Sequence, residues 1–108
     1  MSNRDHVFAA LADPTRRTVV RRLVADGPTS ATVLARDLPV TRQAVVKHLQ
    51  ALADAGLVSS ARDGREVRYA AQTAPLADAV AWIAATGVQW DTRLDRLAKH
   101  VSRVKPDR

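Results

Sequence analysis

Between Thr29 and Gly56 the chain carries two short amphipathic segments with almost nothing between them, and that spacing restricts the folds open to it. Thr29 or Ser30 is placed to cap a helix carrying Val33, Leu34 and Leu38. Pro39 closes that helix, because the residue before a proline is biased away from helical dihedrals. Two residues later Thr41 can cap a further helix, in which Val45, Leu49 and Leu52 recur at i, i+4 and i+7. Gly56 ends it, being the residue type favoured in the left-handed conformation just past a helix. A helix, a tight turn and a second helix form a helix-turn-helix.

The flanking segments fit around this pair. From Asp5 to Ala12, Val7, Phe8 and Leu11 stand at helical spacing until Asp13-Pro14 interrupts them. Asp13 is a natural N-cap with Pro14 at the first helical position, and Val19, Val20, Leu23 and Val24 then share one face until Asp26-Gly27-Pro28. After Gly56 the period changes from that of a helix to that of strands. Leu57–Arg62 and Glu66–Ala70 read as a hairpin around Asp63-Gly64, with both turn positions expected at positive φ. Pro75 opens the last element, where Leu76, Val80, Ile83, Gly87, Trp90, Leu94, Leu97, Val101 and Val104 alternate in steps of four and three. That is a sustained heptad seam. A helix of this length, at about 1.5 Å per residue, outreaches the core of so small a unit, so its stripe calls for a second copy of the chain. Gly87 sits on the seam, where it permits close approach of a helix or marks a bend.

The predicted fold is mainly α with a small β-hairpin: four helices, two strands and a long final helix, a winged helix-turn-helix. Its 108 residues suit one domain, 1–108, with 75–105 as a C-terminal dimerisation helix. Apolar residues make up 46% of the chain but aromatics only 4%, so the core is built from Val, Leu, Ile and Ala and is modest. Lys and Arg number 17 against 11 acids, a net charge of +6, which favours a polyanionic partner such as nucleic acid or an anionic membrane surface. The chain has no cysteine, which removes disulfides, thiolate metal sites and cysteine nucleophiles together. No apolar run approaches the roughly 20 residues of a membrane helix, and the first residues are polar, unlike a signal peptide, so a cytoplasmic protein is expected.

Five stretches carry a family resemblance in order: Leu11-Ala12-Asp13-Pro14-Thr15-Arg16-Arg17, Leu34-Ala35-Arg36-Asp37-Leu38, Thr41 to Leu49, Ala55-Gly56-Leu57-Val58, and Arg62-Asp63-Gly64-Arg65 with Tyr69. Together they resemble the ArsR/SmtB family of winged-helix repressors, through nearly the whole chain. The resemblance implies a homodimer joined through the first and last helices, with two recognition helices entering successive major grooves of a near-palindromic operator. Metal sensors of the family place a cysteine-containing motif on the third helix, or an Asp-x-His pair with further His and Glu on the last. Here Asp78-Ala79-Val80 lacks the histidine and the stretch from Trp90 to Arg108 holds only His100. The resemblance is therefore to the metal-independent branch, and no metal or other cofactor is expected. Where the family often has serine in the fourth helix, this chain has Val46.

With Val45, Leu49 and Leu52 facing the core, Arg42, Gln43, Val46, Lys47 and Gln50 lie on the other faces of the fourth helix and are the candidate base readers. Arginine matches the two acceptors of guanine, glutamine matches adenine, and Val46 suits a thymine methyl. Thr41 caps the helix, contacts a phosphate, or both. In the wing, Arg62 and Arg65 are candidates for phosphates or the minor groove, while Arg68 pairs with Glu66 or faces the other way. The expected dimer interface is Val7, Phe8 and Leu11 on the first helix with Leu76, Val80, Ile83, Gly87, Trp90, Leu94, Leu97 and Val101 on the last. Trp82 lies off the seam and reads as packing on the winged domain or as an exposed patch.

The arginines of the second helix, Arg16, Arg17, Arg21 and Arg22, read as a solvated face with reach to neighbouring acids, and Arg16 is placed to pair with Asp13. His48 stands alone on its helix and reads as structural or DNA-facing. His6 and His100 lie on the two helices expected at the interface, so a metal-responsive variant would draw on His6, Asp95 and His100 across two copies. A winged-helix module that binds protein rather than DNA is the remaining alternative. An enzyme is disfavoured, because nucleophile, base and orienting group are not clustered and no Gly-rich phosphate loop is present.

Overall fold

Ser2 starts the first helix two residues earlier than the apolar spacing predicts. Its hydroxyl accepts from the Asp5 amide while the Asp5 carboxylate accepts from the Ser2 amide, a capping box that opens α1 (Asn3–Leu11). Asp13 then caps α2 (Pro14–Asp26), accepting from the amides of Thr15 and Arg16 at 2.8 and 3.1 Å. Ser30, rather than Thr29, caps α3 (Ala31–Asp37), and Leu38 leaves the helix in an extended conformation before Pro39. Thr41 caps α4 (Arg42–Asp54). Past α4 the amide of Leu57 reaches the Leu52 carbonyl at 2.9 Å and that of Gly56 reaches Ala53 at 2.9 Å, a Schellman ending with Gly56 at φ +78°. In the computed structural model, residues 2–103 are described, with side-chain surroundings as far as residue 100. Val104, and the side chain of Val101, lie outside the described residues.

The sheet has three strands where two were expected. β2 (Val58–Asp63) and β3 (Glu66–Ala71) form the hairpin, and β1 (Thr29–Ser30) adds to the far edge of β3 by pairing Thr29 with Tyr69 and Ser30 with Arg68. A two-residue strand has no periodicity of its own, so nothing local announces it. The turn also sits one residue further on than Asp63-Gly64. Asp63 pairs with Glu66, leaving Gly64 and Arg65 as the central residues, and only Gly64 has positive φ (+65°). That is the dihedral pattern of a type II′ turn, which places Arg65 at the tip of the wing.

Val19, Val20 and Leu23 of α2, Leu34 of α3, Val45, Leu49 and Leu52 of α4, and Leu57 and Val58 leading into the wing form one buried cluster. Each such side chain contributes about 1.5–3 kcal/mol on leaving water. Val24 does not join it: 56% of its surface is exposed, so the apolar face of α2 is narrower than its sequence suggests. Val33 of α3 is likewise exposed. Val7, expected between copies, instead fills the core of its own chain with 1% exposure, leaving no surface for a partner to cover.

The last helix, α5 (Ala74–Arg103), runs for 30 residues, about 45 Å at 1.5 Å per residue. Only its first turns dock. Ala79 is buried, Leu76 packs on the core, Arg4 of α1 lies 3.7 Å from Asp78, and Phe8 meets Trp82 with ring centroids 5.6 Å apart. The Arg4 guanidinium also stands over the Trp82 ring. Trp82 therefore packs on the winged unit with one side while 43% of its surface stays exposed, so both of its expected readings hold in part. Beyond this anchor α5 projects away, and the radius of gyration is 20.4 Å against about 13 Å for a compact chain of this length.

Candidate nucleic-acid interface

The cap at Thr41 and the buried stripe of Val45, Leu49 and Leu52 fix both the start of α4 and its rotation about its axis. With one face held down at 3.6 residues per turn, Gln43, Lys47 and Gln50 fall on the stripe pointing away from the core, and all three are exposed. Gln50 donates to the Asp54 carboxylate one turn on, at 3.0 Å. Arg42 and Val46 lie on the flank nearest the wing. Val46 is half-buried and packs on the core, so much of its apolar surface is already covered. Arg42 is not free: its Nε donates to the Thr32 hydroxyl of α3 at 3.1 Å.

The wing sorts its arginines by strand alternation. Arg62 lies opposite Val67, on the face that carries Tyr69 and Ala71 toward the core. Arg68 lies on the other face and pairs diagonally with Asp63 at 3.4 Å, not with Glu66. Arg65, at the turn, lines an open cleft of about 340 Å³ between wing and helices, together with Arg42, Val46, Thr32, Glu66 and Tyr69.

On the opposite flank of α4, His48 has a structural partner. Its Nδ1 accepts from Arg16 Nε at 3.2 Å, tying α4 to the first turn of α2. Arg16 thus reaches His48 with its side chain, and Asp13 with its backbone amide alone. Hydrogen bonds from the Arg16 amide first, then from that of Thr15, hold the Asp13 carboxyl below its usual pKa against the opposing effect of desolvation. Arg17 caps the end of α1 by donating to the carbonyls of Leu11 and Ala12 at 2.7 and 3.2 Å. Arg22 bridges Asp26 and Asp37, both at 3.0 Å, and those bonds raise its pKa further above the ordinary range. Three of the four arginines of α2 are therefore engaged within the chain. Thr32 and the pairing of Arg16 with His48 had no local signal, since the partners are 10 and 32 residues apart. His6 and His100 are not brought together within one chain: α5 meets α1 near Asp78, and His100 lies about 30 Å further along the helix.

Residues 11–61 match a family described as a helix-turn-helix domain. A solved structure described as an ArsR-like transcriptional regulator from Rhodococcus sp. RHA1 is similar over 90% of this chain and 91% of that one, with TM-score 0.79 and 42% identity. The chain belongs to the ArsR family of transcriptional regulators. Transcriptional repressor SdpR of Bacillus subtilis is 30% identical over 73% of this chain and 87% of its own length. HTH-type transcriptional regulator Rv2034 of Mycobacterium tuberculosis is 56% identical over 54 residues, and the chain spans 50% of that relative's length. The structure of the cadmium metal-sensor CMTR from Mycobacterium tuberculosis is similar with TM-score 0.54 and 42% identity, over 62% of this chain and 68% of that one. An ArsR-family chain is a DNA-binding regulator of transcription and not an enzyme. Among the described residues no helix is long and apolar enough to cross a membrane.

Proposed function

We propose that this regulator is a sequence-specific repressor that binds a near-palindromic operator as a homodimer, reading bases with α4 and gripping the backbone with its wing. The observation that carries DNA reading is the exposed stripe of Gln43, Lys47 and Gln50 on a helix locked by its cap and its core face, beside the wing arginines Arg62 and Arg65. A rigid helix presenting polar side chains outward suits major-groove readout, in which bidentate contacts discriminate base pairs by about 1–3 kcal/mol each. Homodimerisation is supported by α5, where Val80, Ile83, Trp90, Leu94 and Leu97 stand exposed along the heptad seam with 46–64% of their surface uncovered. On this reading residues 1–108 act as one winged unit with 75–105 as its dimerisation helix, and the protein works in the cytoplasm where its DNA is.

The same reading holds that the repressor works without a metal, on the strength of a chain with no cysteine and only three histidines. Similarity to a cadmium sensor keeps one competing reading, a site shared across two copies by His6, Asp95 and His100. Calorimetry with zinc, nickel and cadmium separates them: no binding heat fits the metal-free repressor, and stoichiometric heat lost in His100→Ala fits the sensor. Selection from a pool of random-sequence duplexes tests the function itself. Enrichment of a palindromic sequence by the wild type, abolished in Gln43→Ala/Lys47→Ala, is the expected result. No enriched sequence would overturn the repressor reading, and enrichment unaltered by the double substitution would overturn the assignment to α4.

A further inference from the structure

The cleft between α4 and the wing holds two arginines from elements far apart in sequence, Arg42 at the start of α4 and Arg65 at the wing tip. Glu66 also lines it, so the three charged groups there sum to a net positive cleft. The Arg42 guanidinium is pinned sideways by its Nε bond to Thr32, which directs it along the flank of α4 and away from the outward stripe of Gln43, Lys47 and Gln50. Of an arginine's five N–H donors, four remain after Nε is engaged. A guanidinium whose plane is fixed by its own fold and whose fork is still vacant suits a tetrahedral oxyanion better than a base edge deep in a groove.

We infer that Arg42 and Arg65 together clamp a single phosphate of the DNA backbone in this cleft, so that Arg42 sets the register of the recognition helix and Gln43 and Lys47 read the sequence. The inference rests on the DNA-reading proposal for its partner and changes the role expected for Arg42, from guanine reader to positioning residue. Both guanidiniums line the one cleft, so an anion seated there is attracted by two cations at once. The cleft's volume of about 340 Å³ and its mixed lining, with Thr32 and Tyr69 beside Val46, accommodate a phosphodiester and its sugar edges.

Salt dependence separates a phosphate contact from a base contact, because each phosphate neutralised adds about 0.9 to the slope of log affinity against log salt on duplex DNA. Binding is measured from 50 to 200 mM salt on the duplex enriched by the wild type and on a scrambled duplex of equal length. Wild type, Arg42→Ala, Arg65→Ala, the double variant and Gln43→Ala are compared, with thermal melts confirming that each is folded. A shared clamp predicts that the double variant loses about 1 from the slope. It also predicts that Arg42→Ala weakens both duplexes by the same factor, on the order of tenfold, and that the two single effects are not additive. Gln43→Ala keeps the slope and loses discrimination.

A slope loss near 2 with additive single effects would mean two separate phosphates and would overturn the clamp. An unchanged slope in Arg42→Ala with collapsed discrimination would return that residue to base reading. Since backbone contacts are independent of sequence, the slopes can be read on the scrambled duplex alone. Failure of the wild type to prefer any sequence would sink the repressor reading and leave the clamp test intact.

Discussion

Asp13 and Thr41 show how single side chains fix the geometry on which DNA reading depends. The Asp13 carboxylate holds the first turn of α2, whose Arg16 in turn holds His48 of α4. Because the folded state lowers the pKa of Asp13, that carboxylate adds stability which is fully present above its unfolded value and is lost as pH falls through the folded one. Wild-type melting temperature is therefore expected to drop on acidification through the lower carboxylate range, and the pH-insensitive Asp13→Asn to drop less; parallel curves would contradict this. Thr41→Ala removes the acceptor for the Ala44 amide and is expected to cost about 1 kcal/mol in denaturant unfolding. Thr32→Val keeps the shape of α3 but releases Arg42, so affinity for any duplex is expected to fall with little change in the melt. The caps at Asp13 and Thr41 were legible because they act over two or three residues. The partners of Arg42 and Arg16 were not, because only the fold brings those residues together.

At the scale of elements, α2, α4 and the hairpin could be read from caps, a 3.6-residue stripe and a period-2 stretch. β1 could not, being two residues that exist as a strand only by pairing with Tyr69 and Arg68. The wing turn was misplaced by one residue because Asp-Gly is the commoner signal, whereas cross-strand register here makes Gly64-Arg65 the turn. Gly64 sits at φ +65° with open space around a would-be Cβ, so any cost of substitution is backbone strain alone. Gly64→Ala is expected to lose about 1–2 kcal/mol of stability, because the first central position of a type II′ turn disfavours any L side chain. A loss indistinguishable from zero would mean that φ is not what glycine supplies at this turn. Gly87 presents the other case: α5 is helical through it, and a Cβ there meets nothing within 4 Å of its own chain. Of the residues expected at these sites, Gln43, Lys47, Arg62 and Arg65 are exposed, whereas Val7 is buried and Val46 half-buried against the core.

The whole molecule is a small winged unit from which α5 extends well past its own core. An amphipathic helix of this length with one apolar stripe uncovered is expected to associate, and the charge of its other faces keeps that association specific to the stripe. Leu94→Glu/Leu97→Glu is expected to convert a dimer to a monomer in sedimentation while leaving the melt of the winged unit in place, because neither leucine joins the buried cluster. Operator affinity should fall by orders of magnitude in that variant, as two half-sites would no longer be bound by one linked particle.

Two α4 helices, held by one dimer, are expected to read successive major grooves. Hydroxyl-radical footprinting of the wild-type protein on its enriched duplex tests this most directly. Two protected half-sites related by a two-fold axis, their centres about one helical turn or about 10 base pairs apart, are the predicted result. A single protected patch, or uniform protection along the duplex that vanishes with added salt, would contradict it.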